Sequence, residues 1–426
     1  MAFLLLTLAG GSHLQADWPE FRGPTGDGHV QALKSVPAIG LPLTWSETNN
    51  ISWKTEIPER GWSTPAIMNK QVWLTTAPVD GHDFYVFCLD ADSGKVLFTN
   101  KLFHCDNPES QGNSVNSYAT PSPTIEAGRV YIHFGSYGTA CIDTSSFKTL
   151  WERTDLKCRH YRGPASSPII FENLIILTMD GVDLQYMAAL DKTTGKTVWK
   201  TDRSVAWNDE NATDQMTRDG DRRKAHSTPI IVRTDGKLQM LIPGAKAAYS
   251  YDPRTGRELW RVQYDAWSAS SMAVCTKGLA IFISGFGGKT EMLAVKTDGQ
   301  GDVTKTHVAW RYDKMVSKTA SPILVDGLLY MVSDDGMITC LEPETGVQVW
   351  RERVGGAFAS SPIYADGRIY FCNQQGKTFV VKPGRTCELL ATNILDTGSL
   401  ASPAVQDKAI YLRTKTHVYR IENSGK

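Results

Sequence analysis

Apolar residues in this chain come in short runs rather than in helical stripes. Gly128-Arg-Val-Tyr-Ile-His-Phe-Gly135, Gly327-Leu-Leu-Tyr-Met-Val332 and Gly367-Arg-Ile-Tyr-Phe-Cys372 are representative. A second kind of run follows them, as in Phe84-Tyr-Val-Phe-Cys-Leu89 and Met337-Ile-Thr-Cys-Leu341. Both kinds are rich in β-branched and aromatic residues, end at Gly, Asp or Asn, and are too short for helices, so they predict strands. No amphipathic helix is expected after the N-terminal region.

The strands are punctuated by a signature of Ser or Thr, then Pro, then small apolar residues. It stands at Ser63-Thr64-Pro65, Ser122-Pro123, Ser166-Ser167-Pro168, Ser227-Thr228-Pro229, Ser321-Pro322, Ser360-Ser361-Pro362 and Ser402-Pro403. Ser270-Ser271-Met272 fills one gap, read with Met in place of Pro. These copies recur at intervals of roughly 40 to 60 residues, a period that means a repeat architecture.

A second signature runs in phase: Asp191, Thr194, Gly195, Lys196 and Trp199 give Asp-x-x-Thr-Gly-Lys-x-x-Trp. Asp252, Thr255, Gly256, Arg257 and Trp260 repeat it, and Glu342, Thr345, Gly346 and Trp350 repeat it with Glu for Asp. Asp90, Ser93, Gly94, Lys95 and Phe98 carry Phe for Trp. The stretch from Asp143 to Trp151 loses the Gly, and the copy near Asp298 and Trp310 is lengthened. The physical content is a tight turn: Asp and Thr side chains bond nearby backbone N–H groups, Gly supplies the positive φ, and the aromatic packs on the neighbouring unit.

Each unit then has four strands, and a repeated four-stranded unit of this length is a propeller blade. The last anchor, Ser402-Pro403, is followed by only two clear strands, Ala409–Arg413 and Thr416–Ile421, while Ile51–Ile57 is a Trp-bearing strand with no blade of its own. Joining them completes an all-β, eight-bladed β-propeller with no exposed sheet edge at the seam. The joint links residues nearly a chain length apart, so folding is expected to be slow.

Three segments follow from this reading: residues 1–16 as a signal peptide, 17–50 as an extended N-terminal strap and 51–426 as the propeller. Phe3–Gly10 is apolar but too short to span a membrane, and Ala16 before Asp17 is a fitting cleavage point. No Lys or Arg precedes the apolar run, which departs from a complete secretory signal. Export to the periplasm or beyond is the expectation. Lys+Arg and Asp+Glu balance at 45 each, so no global field favours nucleic acid or an anionic membrane. A monomer without a membrane span is expected.

The docking turns resemble the tryptophan-docking motifs of the PQQ-like propeller repeats, found in quinoprotein alcohol dehydrogenases and in the lipoprotein of the outer-membrane β-barrel assembly machinery. The resemblance covers about residues 51–426. Trp18-Pro-Glu-Phe-Arg-Gly-Pro-Thr-Gly-Asp-Gly28 is also similar to the opening segment of uncharacterised secreted bacterial members. For a dehydrogenase the resemblance implies PQQ and Ca²⁺, a calcium set of Glu, Asn and Asp, a Trp beneath the quinone and a disulfide between adjacent cysteines. This chain has no adjacent cysteines, and the calcium set has no residue-by-residue counterpart in it. No Cys lies near the cleavage point, so an acylated N-terminus is not implied.

Eight cysteines raise the question of bridges and metals. Cys88, Cys141 and Cys340 are expected in third strands and Cys275 and Cys372 in second strands, as small buried hydrophobes. Cys105 and Cys158 each lie seven residues after their blade's aromatic and form the one candidate disulfide. No paired Cys/His set has zinc spacing, so no metal site is assigned.

Chemistry is sought on the loops that run from each outer strand to the next inner strand, which gather on one face around the channel. Tyr161, Arg162, Arg223, Lys224, His226, Trp267 and Lys318 lie just before the inner strands of blades three to six. They are expected to line one arc of the channel mouth and to offer stacking faces and cationic donors to a protein partner or small ligand. No catalytic residue is assigned, because the repeats place Ser and Asp everywhere for structural reasons. The function read from the sequence is an exported, non-catalytic binding propeller. The alternative is a PQQ- and Ca²⁺-dependent dehydrogenase acting on an alcohol or sugar.

Overall fold

The computed structural model describes residues 17–30, 38–111, 115–209, 211–234 and 236–424. The apolar N-terminal run, read above as a signal peptide ending at Ala16, lies outside these residues. The chain forms eight antiparallel blades around a central channel, with helix limited to single turns such as Gln215–Arg218. Blade 1 runs from Ala66–Met68 at the channel to Val96–His104 at the rim, and blades 2 to 7 follow in sequence order. Blade 8 joins both ends of the chain: Ile51–Glu56 pairs antiparallel with His417–Glu422, with Lys54 opposite Tyr419 and Thr55 opposite Val418. Arg413, which is buried, strengthens this joint by donating to Ser63 Oγ and the Thr75 carbonyl of blade 1.

The docking turn works through two contacts. Asp191 Oδ1 accepts from the Thr194 N–H (2.8 Å) and hydroxyl (2.9 Å), which closes the turn. The turn then offers a carbonyl and a bare Cα to the tryptophan of the preceding blade. Trp151 donates Nε1–H to the Lys192 carbonyl (3.0 Å) and lies flat on Gly195, where a Cβ would come within 2.7 Å of the indole. Trp53 on Ala91 and Gly94, and Trp310 on Pro343 and Gly346, repeat both contacts. Gly is required twice over here, by φ near +70° and by the ring against it.

Four junctions depart from this rule. Between blades 6 and 7 Trp350 bonds the Gly384 carbonyl with no ring against that glycine, and blade 7 has Ala391 in the tryptophan position. Between blades 1 and 2, Phe98 replaces Trp and Phe147 replaces Gly, in the left-handed conformation (φ 59°). The two phenyl rings stack with centroids 4.8 Å apart and planes 6° from parallel. The smaller aromatic leaves a space, and the side chain absent from the other turns fills it. Between blades 4 and 5 the lengthened turn forms a fifth strand on blade 4, with Gly301 and Asp302 pairing parallel to Trp260 and Arg261. Trp260 accordingly turns to its own blade, donating to Gln239 Oε1 (2.9 Å), and is 1% exposed.

The Ser/Thr-Pro anchors form a hydrogen-bonded ring around the channel. The N–H of Thr64 donates to Ser122 Oγ, Ser122 to Ser167, Ser167 to Thr228, Ser321 to Ser361, Ser361 to Ser402, and Ser402 to Thr64 Oγ1. Met272 N–H donates to Ser321 Oγ in the same way. This corrects the alignment read from the sequence: Met272 stands in the hydroxyl position and Ala273 in the proline position, directly before the strand Val274–Thr276. Met272 has no hydroxyl, so the ring lacks one acceptor there, and the side chain is buried in the core of blades 4 and 5 instead.

Residues 17–30 lie across the channel floor, whereas residues 38–50 pass outside blades 7 and 8. The N–H groups of Ile39, Gly40 and Leu41 share the Asp366 carboxylate, and Trp45 N–H donates to Asn393 Oδ1. All eight cysteines are free thiols. Cys88, Cys141 and Cys340 fill third-strand core slots, and Cys372 a second-strand slot. Cys275 belongs to the first strand of blade 5, not to a second strand. Cys105 and Cys158 are not joined: Cys105 packs in the core between blades 1 and 2, while Cys158 Sγ turns inward to His160.

Candidate functional site

Strand parity puts two sets of loops on one face: those between the second and third strands, and those leaving the outer strand. Loops 57–65, 154–168, 203–229, 264–273 and 313–322 therefore share that face with 181–184 and 284–291.

The predicted arc divides. Arg162, Lys224 and His226 converge on a buried polar knot, together with Asp221, Asp180, His160 and Cys158. Arg162 makes a bidentate pair with Asp221 (3.0 and 2.8 Å), and Tyr161 stacks on the same guanidinium at 4.7 Å. Lys224 is 1% exposed; its Nζ donates to the Asp180 carbonyl (2.7 Å), the Ala225 carbonyl (3.2 Å) and His160 Nδ1 (3.1 Å). Accepting at Nδ1 leaves the His160 proton on Nε2, which faces Cys158 Sγ at 3.4 Å. Behind this, Arg203 and Asp180 form a bidentate pair with both side chains almost fully buried.

Burial sets the chemistry of the knot. Desolvation, aided by the Lys224 charge, holds His160 and His226 well below the usual imidazole range. It pushes the Cys158 thiol up to about 12 and lowers Lys224. A thiol held protonated beside a neutral imidazole does not act as a nucleophile at neutral pH. The knot fixes the loops of blades 2 to 4; Lys224, read from the sequence as a cationic donor at the mouth, points into the protein.

The other predicted residues lie on the rim. Arg223 pairs bidentately with Asp209 and lies over Trp207 at 5.7 Å. Trp267 is flanked by Arg222 at 5.0 Å and Lys246 at 5.1 Å. Lys318 lies over Phe286 at 4.8 Å, and the Phe286 side chain is 60% exposed. A fifth cation–aromatic stack, Arg60 over Trp62 at 5.2 Å, stands at blade 1. Trp207, Asn208, Asp214, Arg222 and Lys246 border a cleft of about 350 Å³. A larger recess of about 500 Å³ opens on the opposite face, between the hairpin tips of blades 4 and 5, and has no aromatic wall.

Several site residues escaped sequence reading. Arg60, Trp62, Lys246 and Phe286 carry no motif; only their loop positions, countable from the strand order, point to them. Asp180 and Arg203 become part of the site only because three loops meet, whereas His160 stands beside Tyr161 and Arg162 in a loop the strand order already assigns to this face.

A bound Ca²⁺ would have to draw on the oxygens of these loops. Ca²⁺ takes six to eight oxygen ligands. Among the described residues no group of three or more His, Cys, Asp or Glu side chains is placed to share an ion. The acidic side chains of loop 203–229 are engaged within the protein: Asp209 and Asp221 each hold an arginine, and Asp214 caps the short helix through the Thr217 N–H. Among the described residues no helix is long and apolar enough to cross a membrane.

No curated protein matches the sequence. Among solved structures, BamB from Moraxella catarrhalis superposes with a TM-score of 0.59 at 12% identity, covering 88% of this chain and 99% of that one. A europium-containing methanol dehydrogenase superposes with a TM-score of 0.66 at 12% identity, covering 93% and 89%. Quinohemoprotein alcohol dehydrogenase from Comamonas testosteroni gives 0.64 at 12% identity, covering 96% and 81%. At this identity the likeness is one of fold, which binding proteins and enzymes share. The sequence itself decides the family: residues 183–425, more than half of the chain, match the family model described as outer membrane protein assembly factor BamB, and the chain belongs to that family of PQQ-like propellers.

Proposed function

We propose that this protein is an exported, non-catalytic propeller that binds a protein partner through its loop face. The observation that carries this reading is the set of five cation–aromatic stacks spaced around that face, at Trp62, Tyr161, Trp207, Trp267 and Phe286. Aromatic and Arg side chains are the residues that dominate protein interfaces, and a stacked cation is already ordered before a partner arrives. Asp209 and Asp221 of the same loops are held by bidentate arginines, so this part of the face offers rings and guanidinium edges. Val79, Leu184 and Met216 add exposed apolar area on loops of the same face.

The test is photo-crosslinking in the native cell envelope, with benzoyl-phenylalanine placed at Phe286 and, as a control on the outer edge, at Val347. A discrete protein adduct from the loop position alone is expected. Titration with PQQ and Ca²⁺, followed optically beside a dye-linked alcohol oxidation assay, is expected to show no change. Equal or absent adducts at both positions, or PQQ-dependent alcohol oxidation, would overturn the reading.

A further inference from the structure

The floor of the channel is covered by a segment that touches nearly every blade while remaining folded on itself. Trp18 exchanges both backbone hydrogen bonds with Ile67 of blade 1 (2.9 and 2.8 Å). The Ile125 N–H of blade 2 donates to the Pro19 carbonyl, and Glu20 reaches the backbone of Ile170 in blade 3. Phe21 packs on the core of blades 4 and 5. Arg22 Nη2 donates to the Pro322 carbonyl of blade 6 (2.9 Å), and the Tyr364 N–H of blade 7 donates to the Gly28 carbonyl (2.9 Å). Asp17 Oδ1 accepts from Gln406 of blade 8 (3.0 Å).

The same segment organises itself. Gly28 N–H donates back to the Arg22 carbonyl and Arg22 Nη2 to the Asp27 carbonyl, closing a loop. Trp18 lies on Gly23, where a Cβ would come within 2.9 Å of the ring at φ +82°. Trp18 and Arg22 are each 1% exposed. The strand that completes the closing blade is a separate segment, Ile51–Glu56. A preorganised loop that uses backbone bonds to inner-strand edges and buries an aromatic anchor has the features of a docked peptide ligand.

We propose that the channel floor is a peptide-binding site, filled in this protein by its own residues 17–30 and specific for a compact Trp-Pro-x-Phe-Arg-Gly loop. The segment is then separable from the ring and exchangeable. Trp18 is the anchor, and Arg22 reads the Pro322 carbonyl at blade 6.

The test uses the full chain with a protease site placed within residues 31–37 and cut after folding. The freed segment is expected to stay with the ring on size exclusion. A fluorescent synthetic peptide of residues 17–30 is expected to exchange into the cut protein and not into the uncut one, and W18A and R22M peptides to compete at least about tenfold more weakly, a loss of about 1.4 kcal/mol. A segment that leaves on cleavage overturns the proposal. So does one that stays but never exchanges, since it would be an integral part of the fold, and so do variant peptides that compete as well as the parent.

Discussion

The junction between blades 1 and 2 and the junction between blades 2 and 3 solve one packing problem with different residues. At the second, Trp151 lies on Gly195 and bonds the carbonyl beside it. At the first, Phe98 lies on Phe147, whose backbone accepts the left-handed conformation without the help of glycine. What is kept is the volume between the blades and a flat aromatic contact, not the identity of either partner. A positive φ at a non-glycine residue costs about 1–2 kcal/mol. Stacking of an aromatic pair contributes about 0.5–1.5 kcal/mol beyond its burial, which offsets that cost. The junction between blades 4 and 5 is a third solution, in which an added strand covers the edge and the tryptophan turns inward.

The comparison can be broken most severely at the closing blade. Deleting residues 1–58 removes the Ile51–Glu56 strand and the floor segment together, leaving the strand His417–Glu422 as an open edge. The ring is expected to lose its cooperative thermal transition, and a truncated protein melting at the full-length temperature would refute the closure described above. Next in size is Trp260→Ala. The side chain is 1% exposed, so about 3–5 kcal/mol should be lost in chemical denaturation. Trp151→Ala should cost less, because that indole is only partly buried. Equal losses would mean that the inward turn of Trp260 contributes nothing extra.

The sharpest probe of the first two junctions is a double-mutant cycle. Phe147→Gly alone should open a void beside Phe98, and Phe98→Trp alone should clash with the Phe147 ring. Together they rebuild the regular Trp–Gly contact, so the double variant should be more stable than the sum of the singles by about 1–3 kcal/mol. Additive denaturation midpoints would show that the two substitutions are independent.

The smallest effect distinguishes the loop ends of these junctions. His133 and His160, in blade 2 and the loop after it, are buried and neutral, and burial lowers His133 to about 3. Their unfolded values are near 6.5, so the unfolded chain takes up protons that the folded one refuses. Stability is therefore complete above pH 6.5 and falls as the pH drops below it, by about 1.4 kcal/mol per pH unit for each such histidine. Hydrogen exchange at pH 5.5 should rise first in the loop 154–168 and the strands beside it. Equal protection at pH 5.5 and 7.5 would remove these histidines from the account.

Blade number, strand order and the closing strand were all legible because most repeats carry their own turn chemistry. Asp191, Thr194 and Gly195 make a turn whatever surrounds them, and the spacing of such turns counts the blades. The compensating pair Phe98 and Phe147 was also present, as two separate departures from one motif, but its meaning needed the contact between adjacent blades. Met272 was placed one residue out of register because Ser270 and Ser271 imitate the anchor, and only the hydrogen bond to Ser321 settles it.

The loop face was legible in position and not in content. The alternation of strands dictates which loops share a face, so Tyr161, Trp267 and Lys318 could be placed on it. The inward turn of Lys224 was not legible, because burial depends on three loops meeting from blades 2, 3 and 4. The role of residues 17–30 was hidden for the same reason: their partners, from Ile67 to Gln406, are spread over almost the whole chain. Sequence alone determined what is local and repeated, the turn, the strand and the count of blades, since those energies arise within a few residues. Tertiary structure decided which charges are paired, which rings stay exposed and what covers the channel, since those depend on desolvation and contact between segments that only the closed ring brings together.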